Sequence, residues 1–149
     1  MNTPHPGTPI NDSLVLDYEL AAGGMGTVWV AQHRTLGTAV AVKLIQDGRL
    51  SDDAVARFQL EARAAARVNS PHVARVHDFA VSDGGTPYIV MELLDGKTLG
   101  EVLYAQGPLS LDTAVDVARQ VAKGLEAAHD VGVIHGDIKP DNLFACRDE

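Results

Sequence analysis

His135-Gly136-Asp137-Ile138-Lys139-Pro140-Asp141-Asn142 decides how this chain is read. The stretch follows an apolar pair, Val133-Ile134, and sets a carboxylate, an ammonium and a carboxamide on one short loop. Asp137 is suited to accept a hydroxyl proton. Lys139 is suited to neutralise charge on a group in transfer, and Asn142 to hold a magnesium ion through its carbonyl oxygen. Each alone is ordinary loop decoration. Their value depends on what precedes them.

A long amphipathic pattern leads into the loop. Ser110 is its cap, apolar residues recur at helical spacing from Leu111 to Leu125, Ala128 completes the stripe, and Gly132 is the stop. A shorter helix is expected over residues 98–105, ended by Gly107-Pro108. Upstream of Asp95-Gly96 the pattern is that of strands, over residues 15–22, 27–33, 38–44, 74–81 and 86–92. One helix interrupts them. Ser51, Asp52 and Asp53 start it, Ala54, Phe58, Ala62 and Ala65 mark its apolar face to about residue 68, and Ser70-Pro71 ends it. Tight turns between successive strands predict antiparallel pairing. Five strands with one inserted helix, followed by helices, make an α+β layout in two segregated parts. The first spans residues 14–92, a hinge residues 93–96, and the second residues 97–149. Residues 1–13, rich in proline, are expected to be a flexible leader.

Three further features carry chemistry. Ala21-Ala22-Gly23-Gly24-Met25-Gly26-Thr27-Val28 joins the first two strands. Glycines let backbone N–H groups approach phosphate oxygens, and a glycine-rich hairpin is the plain alternative. Lys43 closes the apolar run Ala39-Val40-Ala41-Val42, where a lysine is usually a strand-end cation reaching for water. Glu61 lies three residues after Phe58 and four before Ala65, on the apolar face of the inserted helix. A charge there is costly unless paired, and Lys43 is its expected partner. The pair is either structural or a means of aiming the ammonium at phosphates. Glycines, lysine, glutamate and loop in this order point to transfer of a phosphoryl group from a nucleotide to a hydroxyl.

On these residues the chain resembles the bacterial serine/threonine protein kinases of eukaryotic-like (Hanks) type, from about Leu14 to the C-terminus. The resemblance implies a protein-kinase-like N-lobe, a five-stranded antiparallel sheet plus the αC helix, with the first helices and catalytic loop of the C-lobe. It implies ATP and Mg2+ as cofactors and proteins with serine or threonine hydroxyls as substrates. Ala21, Ala22, Gly23, Gly24, Met25 and Gly26 would form the nucleotide loop. Val28 and Ala41 would cover one face of the purine and Phe144 the other. Lys43 and Glu61 would be the β3 lysine and αC glutamate. In Tyr88-Ile89-Val90-Met91-Glu92-Leu93-Leu94, Met91 would be the gatekeeper, with backbone groups of Glu92 and Leu94 meeting adenine. Asp137 would be the base, Lys139 the charge stabiliser and Asn142 a metal ligand. Lys139-Pro140 is typical of the serine/threonine branch, and His135 is expected to be a packed core histidine. Lys43 and Asp137 are then expected to face one cleft.

The chain also departs from that pattern. Ala21 replaces the first glycine of the loop. Gly136 replaces the arginine that pairs with a phosphorylated activation loop, which implies an enzyme independent of such phosphorylation. The Asp-Phe-Gly motif, activation segment and lower helices have no counterpart in these 149 residues. The chain is expected to be truncated after the catalytic loop, with roughly half of the fold present.

Bulk properties restrict the alternatives. Twelve basic against twenty acidic residues give a net charge of −8, which argues against nucleic acid and against an anionic membrane surface. A single cysteine, Cys146, permits no internal disulfide. The N-terminus lacks a signal-peptide pattern and no apolar run approaches a bilayer span, so a cytoplasmic protein is expected. Two other readings stand beside the kinase. One is a catalytically inactive fragment that binds nucleotide or other proteins and self-associates through the unpacked stripe of its long helix. The other is a small-molecule kinase of the aminoglycoside or choline type, whose loop shares His-Gly-Asp with asparagine five residues on. Lys139-Pro140 and the Gly-Gly-Met-Gly loop favour the protein kinase.

Overall fold

This computed structural model describes residues 4–23, 26–35, 37–45 and 52–147, with the backbone alone at 23, 52–54, 57, 58 and 61. The chain forms two compact units. One comprises Met1–Ala66 and Arg75–Leu93, the other Arg67–Ala74 and Leu94–Glu149. Residues 67–74, between the inserted helix and the fourth strand, therefore group with the helical unit, which their position gave no reason to expect.

In the first unit, β-branched and alternating runs form β1 (Leu14–Gly23), β2 (Gly26–His33), β3 (Thr38–Leu44), β4 (Val76–Val81) and β5 (Pro87–Met91). All pairs are antiparallel, in the order β1-β2-β3-β5-β4. Helix α1 (Asp52–Ala65) lies between β3 and β4 in sequence, so β5 rather than β4 adds to β3. Directly opposed residues share a face of the sheet, and neighbours along a strand alternate. Trp29 opposes Val42, Val42 opposes Val90, and Leu44 opposes Tyr88. This face, with Leu14, Leu16 and Ala31, is the hydrophobic core. Each large apolar side chain withdrawn from water there contributes about 1.5–3 kcal/mol.

Residues 4–13 of the expected leader are fastened to that core. Ile10 is only 4% exposed among the core residues. Its amide donates to the Leu14 carbonyl at 2.9 Å, and the Leu16 amide donates to the Thr8 carbonyl at 2.9 Å. Asn11 Oδ1 accepts from the amides of Ser13 and Leu14, while its Nδ2 donates to the Tyr88 hydroxyl at 2.7 Å. The prolines set the path of the segment, and one isoleucine and one asparagine fasten it.

In the second unit, β6 (Gly96–Thr98) pairs antiparallel with β7 (Phe144–Cys146), framing α2 (Leu99–Gln106) and α3 (Leu111–Asp130). Strands of three residues are too short to show a period, and neither was foreseen. Thr98 and Glu101 close a capping box at α2: the Glu101 amide donates to Thr98 Oγ1 and the Thr98 amide to Glu101 Oε2. The Thr98 amide first, then the Thr98 hydroxyl, which donates to the same Oε2 at 3.1 Å, hold the Glu101 carboxyl below its usual range. Ser110 caps α3 by accepting from the Thr113 amide. Gly96 has φ 155°, and a Cβ there would overlap the Ala145 carbonyl across the ladder.

Candidate active site

The loop after α3 is built by local bonds. The chain turns at Gly136, whose φ of 73° suits glycine. A single 3-10 turn, Pro140–Asn142, follows, and the Asn142 amide donates to the Lys139 carbonyl at 2.9 Å. The Leu99 amide donates to the Leu143 carbonyl at 2.7 Å, which ties the end of the loop to the start of α2. Asp141 lies against Gly100 so closely that a Cβ at residue 100 would overlap its carboxylate.

Asp137, Lys139 and Asn142 converge within this loop, as their spacing suggested. Lys139 Nζ lies 3.1 Å from Asp137 Oδ2, with both side chains about half exposed. Asn142 Nδ2 donates to Asp137 Oδ2 at 3.0 Å and to the Asp137 carbonyl at 2.8 Å. Lys139 first, with Asn142 and the nearby His135 adding to it, outweighs desolvation and holds the Asp137 carboxyl below its ordinary range. Like an ordinary aspartate, the group is ionised at neutral pH and available to take a proton. With its amide nitrogen committed to Asp137, Asn142 keeps Oδ1 free of hydrogen bonds among the described residues. A carbonyl oxygen so placed suits a hard cation.

His135 departs from expectation. It is exposed rather than packed, and its Nδ1 accepts the Asp137 amide at 3.2 Å. The imidazole thus helps to orient the backbone of the carboxylate it precedes. The Asp141–Gly100 contact was also missed, because nothing in either local sequence announces a partner forty residues away.

The sheet presents the other residues in order. Ala21 opposes Val28, and Val28 opposes Lys43. Ala41, two residues before Lys43, opposes Met91. Val28, Ala41, Lys43 and Met91 therefore share the face opposite the core residues Trp29, Val42 and Val90. Ala41 is buried, whereas Val28, Lys43 and Met91 are half-buried. Ala22 opposes Thr27, and Gly23 opposes Gly26 at the tip of the hairpin. Gly24, Met25 and the Glu61 side chain lie outside the described residues, and so does the expected Lys43–Glu61 pair. The Glu92 amide donates to the Arg75 carbonyl at 2.8 Å, and Glu92 Oε2 accepts the Arg75 amide at 3.1 Å. Leu94 begins the stretch of the second unit that leads to β6, and Phe144 opposes Thr98 on β7, 41% exposed. A hollow of about 250 Å³ lies between α1 and β4, lined among others by Gln59, Arg63, His77 and Phe79. None of the described residues expected to meet nucleotide lines it.

Known proteins share this fold. The family model described as protein kinase domain matches residues 15–149. Serine/threonine-protein kinase PknA of Mycobacterium tuberculosis is 40% identical over 147 residues, covering 95% of this chain and 34% of that protein. Serine/threonine-protein kinase PknE of Mycobacterium bovis is 41% identical over 128 residues, covering 85% of this chain and 22% of that protein. The crystal structure of the Mycobacterium tuberculosis PknI kinase domain matches with a TM-score of 0.85 at 28% identity, over 98% of this chain and 60% of that one. The chain thus spans 34% or less of the length of these curated relatives.

Proposed function

The chain belongs to the protein kinase family, alongside the bacterial serine/threonine kinases of eukaryotic-like type, and on that premise we propose that it carries the nucleotide-handling sheet and catalytic loop of an enzyme that moves the ATP γ-phosphoryl to serine or threonine hydroxyls of proteins. The observation that carries this reading is the Asp137 carboxylate, joined within one loop to the Lys139 ammonium at 3.1 Å and the Asn142 carboxamide at 3.0 Å.

In the proposed step, Asp137 accepts the proton of the substrate hydroxyl as its oxygen bonds to the γ-phosphorus. The bond from phosphorus to the bridging oxygen breaks, and ADP leaves with that electron pair. Lys139 neutralises charge on the phosphoryl oxygens in transfer. Lys43 aims its ammonium at the remaining phosphates, and Val28 and Ala41 offer the adenine an apolar surface. The resemblance assigns the adenine edge to the backbone of Glu92 and Leu94, the gatekeeper role to Met91 and a further apolar contact to Phe144. Magnesium, when bound with the nucleotide, neutralises phosphate charge. Asn142 would supply one oxygen to it. No group of three or more His, Cys, Asp or Glu side chains that could hold a metal occurs among the described residues. No helix among them is long and apolar enough to cross a membrane. We place the reaction in the cytoplasm, where ATP and protein hydroxyls meet.

Two measurements test the assignment. In calorimetric titration of the chain with magnesium-ATP, Lys43→Met should weaken binding, and Asp137→Asn should leave it unchanged. In a chain extended to a whole kinase domain, Asp137→Asn should lower turnover on a generic protein substrate by about 100-fold or more. Unchanged turnover would remove Asp137 from the role of base.

A further inference from the structure

We propose that Thr27 positions the glycine-rich hairpin for the phosphates of the nucleotide, through a hydrogen bond to the Trp29 indole on the core side of β2. The inference rests on the nucleotide reading above and gives a role to a residue which that reading left without one. Trp29 Nε1 donates to Thr27 Oγ1 at 3.0 Å. Both residues are buried, Trp29 at 4% exposure and Thr27 at 9%. Apart from Trp29 and Tyr88, Thr27 is the one buried residue with a polar side-chain atom among the described residues. A valine of nearly the same volume would suit a strand equally well, so packing alone does not call for the hydroxyl. The directional bond adds what packing lacks. It holds two side chains in one orientation and satisfies a donor and an acceptor withdrawn from water.

The bond lies where the hairpin has little else to hold it. Thr27 follows Gly26, whose φ is 132°, and Gly26 opposes Gly23. Neither glycine has a side chain to pack, and glycine leaves the backbone its widest freedom. Ala22, opposite Thr27, is exposed. On the other flank Thr27 opposes the buried Leu44, and Trp29 opposes the buried Val42. The indole is therefore fixed in the hydrophobic core, and its N–H extends that constraint to the first side chain after the glycines.

Neighbours along a strand alternate, so Val28, between the two bonded residues, belongs to the opposite face. There it opposes Lys43. A bond that sets the backbone of residues 27–29 from the core side thus acts on the nucleotide side as well. It sets the direction in which the chain leaves the glycines and the line of β2 beside Lys43. The effect should fall on the phosphate end of the nucleotide, because the glycines are the part expected to bring N–H groups to phosphate oxygens. Ala41 and Met91, which the same reading gives to adenine, oppose each other across β3 and β5, away from this bond.

Calorimetric titration of the whole chain with magnesium-ATP and with adenosine tests this. Thr27→Val keeps the shape and removes the acceptor. It should raise the dissociation constant for magnesium-ATP about fivefold, the loss of one net hydrogen bond. Adenosine, which carries no phosphate, should bind this variant as it binds the wild type. Thr27→Ser keeps the acceptor and should bind both ligands as the wild type does. Trp29→Phe removes the donor and should reproduce the selective loss. It decides the matter if far-UV circular dichroism shows that Thr27→Val does not fold. Thr27→Val added to Trp29→Phe should weaken binding no further. Equal affinity of the wild type and the variants for magnesium-ATP would overturn the proposal and leave the nucleotide reading standing. So would parallel losses for adenosine and magnesium-ATP, the mark of a merely structural bond. A wild-type chain that binds neither ligand would overturn the nucleotide reading, and this inference with it.

Discussion

The two units spend their apolar residues differently. In the sheet unit, Leu16, Val30, Val42, Leu44 and Tyr88 are almost wholly withdrawn from water. In the helical unit, α3 buries only Gly124 and Ala128, and α2 buries no residue. Leu111, Ile134 and Tyr104 stand 79%, 83% and 96% exposed. The first unit is held by long-range packing across five strands. The second is held by helix caps, turns and the three-residue ladder that joins β6 to β7. Stability of the one is therefore a property of its core, and stability of the other is a property of its ends.

The largest effect should come from deleting core volume in the first unit. Leu16→Ala should cost about 3 kcal/mol, from lost transfer energy and the cavity left behind. Leu111→Ala, of the same chemistry on α3, should stay within about 0.5 kcal/mol. Trp29 is the single tryptophan and sits in the sheet core, so its fluorescence during urea unfolding reports the first unit. Equal losses at the two sites would break the contrast.

Asn11→Ala comes next. It removes the two amide bonds at Ser13 and Leu14 and leaves the Tyr88 hydroxyl, on a residue 2% exposed, without its donor. A buried hydroxyl so orphaned costs about 1–3 kcal/mol. The same unfolding curve reads it, and a loss under about 0.5 kcal/mol would restore the segment to the status of a loose leader. This is also where the limits of the sequence are plainest. The five strands of the first unit and the helices follow from period two and period 3.6, whereas β6 and β7 do not, and the loop chemistry follows from His135 to Asn142. Residues 4–13 show neither period. Their fastening depends on a tyrosine 77 positions away, as the β3–β5 pairing depends on a strand arriving after α1 and β4. Long-range register leaves no local trace.

Ser110→Ala should be smaller, about 1 kcal/mol, and confined to the helical unit. The cap accepts from the Thr113 amide at 3.2 Å, and an exposed helix has little packing with which to compensate. Ellipticity at 222 nm should fall at lower urea while the Trp29 signal keeps its midpoint. A coincident shift in both would show that the units unfold together.

The finest effect concerns the loop, where the reading by chemistry and the geometry meet. Asp137 has its pKa lowered in the folded chain, so the stability it contributes is present above the ordinary aspartate value. That stability is lost as pH falls through the depressed one, a window lying below about pH 4. With the carboxylate half in water, the thermodynamic consequence is slight, and the titration itself is the observable. Carboxyl chemical shifts followed by NMR should give a midpoint below that of free aspartate in the wild-type chain. Lys139→Met should bring it back up, because the ammonium at 3.1 Å is the largest cause, and Asn142→Ala should move it less. The inverse order would make the carboxamide the principal support of the ionised base. Above about pH 5 neither the wild type nor Lys139→Met should lose the ionised form. A fall in turnover between pH 7 and pH 5 in a whole kinase domain must then come from another group.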